Sequence, residues 1–155
     1  MTPDELAAIS KVPLISAFFR RAHDDMPDAL REIFTTHGLG PRHGAVMSQL
    51  MARQPASVGD LAARLHVSLS AASKLVSELD RAGLATRTED PANRRRTLVS
   101  VAPDARGVFA DFIAARSASL MRAMDQLSPR DRAGFLKGLN AWAEQEEARN
   151  AADGG

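Results

Sequence analysis

Four side chains with hydroxyl or positively charged groups recur at a helical spacing: Ser70, Lys74, Ser77 and Arg81. Separations of four, three and four residues place them on one face of a helix. Serine hydroxyls can hydrogen-bond to base edges or phosphates, while lysine and arginine add charge and possible guanine contacts. This face therefore has the chemistry of a helix that lies in the major groove of DNA. An ordinary solvated helix face is the alternative, although such a face usually carries more glutamate.

Two short amphipathic helices would position this face. The first begins with Ser57 as N-cap and Asp60 three residues later, which is a capping-box spacing. Its apolar pattern stops at residues 66 and 67. Ser68 can cap the second helix, and Gly83 supplies the left-handed residue that commonly ends one. The apolar positions are Val58, Leu61, Ala62 and Leu65 in the first helix, and Ala72, Leu75, Val76, Leu79 and Ala82 in the second.

A basic β-hairpin is predicted directly after the second helix. Residues 84–88 and 97–101 have the alternation of strands, and residues 89–93 between them have turn chemistry. A ribbon with arginines past its turn can place one in the minor groove and others on phosphates. Because side chains alternate along a strand, we expect Arg94 at the tip and Arg95 or Arg96 turned back toward Asp90. A charged hairpin that only prevents edge pairing is the alternative.

These elements predict a mainly α chain with a small β-hairpin wing, in which residues 38–102 form a winged helix-turn-helix module. The order of helix, second helix and basic hairpin favours DNA binding over the two alternatives, a solvated helix face and a hairpin that only prevents edge pairing. The predicted DNA-binding residues are Ser68, Ser70, Ser73, Lys74, Ser77, Arg81, Arg94, Arg95 and Arg96.

At these residues the chain resembles the MarR family of bacterial transcription regulators. The wing segment, residues 90–95, is the most specific, because the family usually has Asp-Pro, any residue, then Asp-Arg-Arg. The resembling segments are Gly38-Leu39-Gly40-Pro41, Leu65-His66-Val67-Ser68, Leu79-Asp80-Arg81-Ala82-Gly83-Leu84 and Asp90-Pro91-Ala92-Asn93-Arg94-Arg95. The motif-level likeness covers residues 38–107, and the helix order is similar over nearly the whole chain.

Four residues depart from the family pattern. Asn93 stands in place of the second wing aspartate, so a neutral hydrogen bond would replace a salt bridge. Ala102 precedes Pro103 where the family often has a hydroxyl cap, and His66 occupies a turn position where glycine is common. Pro27 falls within a segment that is normally one long helix, and it predicts a kink or a restart near residue 26.

Residues 3–37 and 103–147 are predicted to be dimerisation helices that flank the winged module within a single domain, residues 1–155. They carry more apolar side chains than one winged module can cover, so we expect a homodimer. A long helix should begin at Pro103, and the last helix should begin at Ser128-Pro129, with serine as its cap. The tail from Ala148 should be frayed. The last helix has the apolar stripe Phe135, Leu136, Leu139, Trp142 and Ala143.

Charge and composition limit the class of protein. The net charge is +1, but residues 61–100 contain seven Lys plus Arg against four Asp plus Glu, so the positive excess lies in the predicted DNA-binding segment. The chain contains no cysteine, which excludes disulfides and thiol-based redox sensing. No apolar run is long enough to span a bilayer and the N-terminus is acidic, so we expect a cytoplasmic protein.

Neither an enzyme nor a metal site is predicted. The sequence has no glycine-rich phosphate loop and no serine nucleophile motif, and the four histidines lack the usual ligand spacing, so no cofactor is expected. The resemblance implies instead a crevice for a small aromatic effector between the dimer helices and the winged module. Its walls would be Phe18, Phe19, His23, His43, Met47 and Phe112, each of which could equally be an ordinary core residue.

The leading hypothesis is therefore a sequence-specific DNA-binding transcriptional regulator: a ligand-responsive repressor that acts as a homodimer on a near-palindromic operator. A winged-helix protein-interaction module without DNA binding is the alternative. The complete polar stripe and the wing arginines favour the first.

Overall fold

The molecule is mostly helical with a small antiparallel sheet. A computed structural model describes residues 1–21 and 25–153, with the side chains of residues 17, 19, 20, 147 and 150–153 outside the description. The elements in that part of the chain are α1 (Pro3–Ile9), α2 (Val12–Arg20), α3 (Asp28–Thr36), α4 (Pro41–Ala52), β1 (Ala56–Ser57), α5 (Val58–Arg64), α6 (Leu69–Arg81), β2 (Ala85–Asp90), β3 (Asn93–Val101), α7 (Pro103–Asp125) and α8 (Pro129–Asp153).

The predicted helix-turn-helix is α5 and α6. The capping box at its start is confirmed, since Ser57 Oγ accepts from Asp60 N at 3.0 Å and Asp60 Oδ2 accepts from Ser57 N at 3.1 Å. In the turn, His66 has a φ of 49°, the left-handed conformation that explains why glycine suits this position. Ser68 Oγ then accepts from the N–H of Ala71 at 3.1 Å, so the predicted cap of α6 is also confirmed.

The wing is longer than its side-chain pattern predicts. β2 continues as far as Asp90, and β3 already begins at Asn93, whereas the sequence predicts a turn over residues 89–93. Backbone pairing, which needs no apolar alternation, carries the strands through this polar segment up to the Asp90↔Asn93 pair. A third strand, β1, was not predicted because two residues are too short to show a pattern; it pairs with β3 and gives the order β1-β3-β2.

One core holds the winged module together. Val46, Met47 and Leu50 of α4 are fully buried, as are Val76 and Leu79 of α6. Four of the five apolar positions predicted for α6 are buried, and Ala82 is partly buried. Two bonds close the base of the wing: Ala102 N–H donates to the carbonyl of Leu84 at 2.9 Å, and Val101 N–H donates to Gln54 Oε1 at 2.8 Å. The wing is therefore fixed to the helices beneath it.

The outer helices begin and end largely where the sequence predicts. The chain restarts at α3 directly after Pro27, and α7 begins at Pro103 with no side-chain cap from Ala102. Ser128 Oγ accepts from Asp131 N at 3.2 Å, as expected of the α8 cap. The prediction of a frayed tail from Ala148 is wrong, because α8 continues to Asp153. These residues add turns to a helix that already has a capped start.

Candidate nucleic-acid interface

The predicted polar stripe lies on the outer face of α6. Ser70, Lys74 and Arg81 are exposed, and Ser77 is partly exposed. Arg81 Nε donates to the carbonyl oxygen of Ser77 at 3.4 Å, so its guanidinium follows the helix surface. These side chains, with the partly buried Ser73, form one continuous polar surface opposite the buried face of the helix.

Ser68 has a second role that limits its freedom to bind a ligand. Its hydroxyl accepts from the N–H of Ala71 and lies 3.1 Å from Ser70 Oγ. The first turn of α6 thus presents two coupled hydroxyls at the end where the helix has unpaired backbone N–H groups. Such an arrangement suits a phosphate oxygen.

Arg87 joins the wing to the α6 surface, and the sequence analysis missed it. Its Nη1 donates to Ser77 Oγ at 3.0 Å, although the two residues are ten apart in sequence. The register pairs Arg87 with Val99, whose side chain is buried, while Arg87 itself is exposed. An isolated arginine among threonines gave no sign of this contact, because only the fold brings β2 beside α6.

The three wing arginines have different environments. Arg96 Nη2 lies 2.8 Å from Asp60 Oδ2 and 3.1 Å from Ser57 Oγ, and Arg96 Nη1 lies 4.0 Å from Asp90 Oδ2. The prediction that an arginine turns back toward Asp90 is therefore confirmed for Arg96, which also reaches α5. Within the described residues, Arg94 and Arg95 have no carboxylate at ion-pair distance, and both are exposed.

The contact between Arg96 and Asp60 is electrostatically favourable. Hydrogen bonding of the Asp60 carboxyl to the hydroxyl and the backbone N–H of Ser57 holds the pKa of that carboxyl below its ordinary value, and the Arg96 guanidinium lowers the pKa further. The same carboxylate thus caps α5 and holds the wing. At the tip, Asn93 Oδ1 accepts from the N–H of Arg95 at 3.2 Å, which is the neutral hydrogen bond expected of asparagine there.

A large apolar cavity lies beside the winged module, between α2, α3, α4 and α7. Its volume is about 1190 Å³, and its walls include Phe18, Phe112 and Arg116. The expected wall residues Phe18 and Phe112 are present, while His23 and the Phe19 side chain lie outside the described part of the chain.

Two residues expected in this crevice lie elsewhere. Met47 is fully buried in the core of the winged module. His43 is also buried, and its Nε2 lies 2.9 Å from Glu78 Oε2 on α6. Both belong to the face of α4 that packs against the module, whereas Gly44, Ala45 and Ser48, on another face of the same helix, line the cavity. The sequence of α4 does not determine which of its side chains face the core of the winged module and which face the cavity.

Within residues 1–21 and 25–153 there is no group of three or more His, Asp or Glu residues that could hold a metal ion. In the same part of the chain, none of the helices combines the length and apolar character needed to cross a bilayer.

A sequence model of the MarR family matches residues 37–96, which are the winged module up to Arg96. A curated relative, the uncharacterized HTH-type transcriptional regulator YfiV of Bacillus subtilis, is 26% identical over 83 residues. That match covers 54% of this chain and 52% of YfiV, so the alignment spans about half the length of the relative.

Solved structures share the fold over nearly the whole chain. RV1404 of Mycobacterium tuberculosis is 20% identical with a TM-score of 0.61, and the match covers 94% of this chain and 95% of that one. A MarR family protein of Bacillus stearothermophilus is 18% identical, with a TM-score of 0.60 and coverage of 94% and 98%. A mutant of S. aureus MepR bound to an oligodeoxyribonucleotide is 16% identical, with a TM-score of 0.55 and the same two coverages. At these identities the likeness concerns the fold.

Proposed function

The chain belongs to the MarR family, a family of transcriptional regulators, and from that premise we propose that it is a ligand-responsive repressor that binds a near-palindromic operator as a homodimer. Residues 38–102 are its DNA-binding part in this proposal, and residues 3–37 and 103–147 are its dimerisation helices. The winged module reads base edges with α6 and contacts the DNA backbone with the wing.

One observation carries the DNA-binding proposal: the stripe on α6 and the wing form a single basic surface. The hydrogen bond between Arg87 and Ser77 connects them, and Arg94 and Arg95, which have no carboxylate at ion-pair distance in the described part of the chain, extend the surface. Exposed arginines of this kind suit phosphate contacts, because no ion pair within the protein has to break when they bind. Their binding instead releases mobile counterions from the DNA. The hydroxyls on α6 are short enough for the helix to approach the groove floor closely.

The dimer proposal draws support from the outer helices. Leu6, Ile9 and Ile15 are more than half exposed, and so is Leu14 at 78%. On α8, Phe135, Leu136, Leu139 and Trp142 are each 40–49% exposed. Large apolar side chains at both ends of the chain support an interface in which a second copy covers them. Two-fold symmetry would place two copies of α6 in successive major grooves, about 10 base pairs apart.

The ligand-responsive part of the proposal draws support from the cavity. About 1190 Å³ is enough for a drug-sized compound, and α4, which lines the cavity, also packs under α6. In this proposal a small aromatic molecule binds one conformation of the dimer better than another, where the two conformations differ in the distance between the two α6 helices. Such a molecule would shift the equilibrium toward the conformation that it binds better. Coupling of typical size would change operator affinity by about 5- to 150-fold.

The test is a gel shift of the purified full chain against the DNA upstream of its own gene, repeated at several salt concentrations. We expect a discrete complex that resists a scrambled competitor and weakens as salt rises. The matched variants are Arg94→Ala combined with Arg95→Ala on the wing, and Arg130→Ala on α8 as the control. Equal binding to the operator and the scrambled DNA would contradict sequence-specific recognition. If the parent chain bound neither the operator nor the scrambled DNA, the alternative of a protein-interaction module without DNA binding would be favoured.

A further inference from the structure

One large apolar side chain of the winged module is exposed where the polar surface of α6 begins. Leu69 is the first residue of α6, and it is 63% exposed. In residues 38–102, all of which the structure describes, the other large apolar residues are buried or partly buried. The exposed ones outside the module lie mainly on helices proposed to form the dimer, where a second copy would cover them. The dimer proposal therefore does not account for Leu69.

Leu69 lies between two hydroxyl groups at the N-terminal end of α6. Ser68 and Ser70 flank it, and their Oγ atoms are 3.1 Å apart. Ser73, one turn further along the helix, is on the same side of α6 as Leu69. In helix-turn-helix proteins the first residues of the recognition helix contact base edges. Because leucine extends further from the backbone than serine, Leu69 is the side chain of this turn that would meet a base edge first.

The major groove offers such a side chain one apolar group, the C5 methyl of thymine. The other groups that the bases present there are hydrogen-bond donors and acceptors. A leucine packed against one of them would displace water without offering a hydrogen bond, which costs free energy. Packed against a thymine methyl, both apolar surfaces leave water, which is favourable. A leucine at this place therefore selects thymine by contact with its methyl and also disfavours the other bases.

We propose that Leu69 is a specificity-determining residue, whose side chain packs against the C5 methyl of one thymine in each half-site of the operator. This inference rests on the proposed function, because it requires α6 to lie in the major groove. It adds a residue that the polar stripe does not include and the base that this residue selects. The division of roles is chemical: the stripe from Ser70 to Arg81 bonds to polar groups of the DNA, and Leu69 makes the apolar contact.

Replacement of thymine by uracil tests this contact, because it removes the methyl and leaves the hydrogen-bonding groups of the base unchanged. The full chain is titrated in gel shifts against a set of operator duplexes, each with deoxyuridine in place of one symmetry-related pair of thymines. We expect one pair at which the replacement weakens binding about fifteenfold, since loss of one buried methyl costs about fourfold at each of the two half-sites. Equal binding of the thymine duplex and all the uracil duplexes would overturn the proposal.

Variants assign the effect to Leu69. Leu69→Ala should bind the thymine operator more weakly than the parent and should bind the thymine and uracil duplexes of that pair equally, because its side chain is too short for the contact. Leu69→Asn keeps the branched shape but is polar, and it should lose the preference as well. The control is Leu127→Ala, which shortens an exposed leucine between α7 and α8 and should keep the preference of the parent. An undiminished preference for thymine in either Leu69 variant would overturn the proposal.

Failure of this inference is separable from failure of the proposed function. A specific complex with the thymine operator, combined with equal binding of the uracil duplexes, would contradict the role of Leu69 and leave sequence-specific DNA binding in place. Absence of any complex with the thymine operator would contradict the proposed function, and the inference with it. A uniform loss of affinity in Leu69→Ala, with the effect of uracil unchanged, would show that another part of the protein contacts the methyl and would overturn the inference alone.

Discussion

The imidazole Nε2 of His43 lies 2.9 Å from Glu78 Oε2, and this contact joins α4 to α6. Nδ1 of the same ring accepts the N–H of Gly40 at 2.9 Å, so the ring proton is on Nε2, which donates to the carboxylate. The hydrogen bond holds the pKa of Glu78 below its ordinary value. Because Gly40 lines the cavity, His43 connects the cavity wall to the helix proposed to read DNA.

Removal of the Glu78 carboxylate should destabilise this connection. Glu78→Ala leaves the buried Nε2–H of His43 without its acceptor, so we expect a lower Tm and weaker operator binding than in the parent. Glu78→Gln keeps an oxygen that can accept and should lose less. Asp80→Ala is the control, since it removes the same charge from an exposed site on α6. Equal melting of the Glu78→Ala and Asp80→Ala proteins would show that the contact does not hold α6.

Substitutions on the exposed face of α6 should change which sequences are bound. Arg81→Ala or Ser70→Ala should alter the preferred base pairs, at about 1 to 3 kcal/mol for each bidentate contact that is lost. The measurement is binding to a library of single-base operator variants. A uniform loss of affinity across the library would mean that these side chains touch only the DNA backbone.

The wing arginines should separate into two kinds. Arg94→Ala should weaken binding evenly across sequences and reduce the slope of log affinity against log salt by about 1, because it removes one phosphate contact. Arg96→Ala should instead lower Tm, since Arg96 ties β3 to Asp60 and Ser57. Salt titrations and thermal melts of both variants check this. An unchanged salt slope for Arg94→Ala would show that the wing tip does not contact DNA.

The sequence predicts the winged module well because its signals are local. A cap such as Ser57 and a left-handed Gly83 act within a few residues of themselves, so spacing alone identifies them. The contacts that the sequence did not disclose join distant segments. Arg87 reaches Ser77 across the hairpin, and β1 pairs with β3 some forty residues later.

The cavity was predicted less accurately, for a geometric reason. Apolar residues on α4 recur around much of the helix, and the sequence does not say which of them face the module and which face α7. His43 and Met47 are core residues instead of cavity residues, and the sequence gives no reason to place Arg116 in the cavity wall. A lone arginine in a long helix resembles any surface charge until the fold places it against Phe18.

Acid should weaken the attachment of the wing. The folded-state pKa of Asp60 is below the ordinary value of about 3.9, so its contribution to stability is complete above that pH and is lost as the pH falls through the lower folded value. Urea unfolding measured from pH 7 down to about pH 3 should show a decrease confined to the most acidic points. Asp60→Asn should flatten that decrease, and Asp111→Asn, at an exposed site on α7, should not. An identical acid profile for Asp60→Asn would contradict the assignment.

The proposed dimer should dissociate when its apolar face on α8 receives a charge. Trp142 and Leu139 are 49% and 40% exposed in the single chain, and each would be covered by the partner in the proposed interface. Loss of one such contact costs about 1.5 kcal/mol or more, and two-fold symmetry counts each substitution twice, so Leu139→Glu should weaken association at least about a hundredfold. Light scattering at micromolar concentration should then report a monomer, with weaker operator binding because one recognition helix acts alone. Lys137→Glu changes the charge at another exposed position of α8 and should remain dimeric. A parent protein that is already monomeric under these conditions would contradict the proposed dimer.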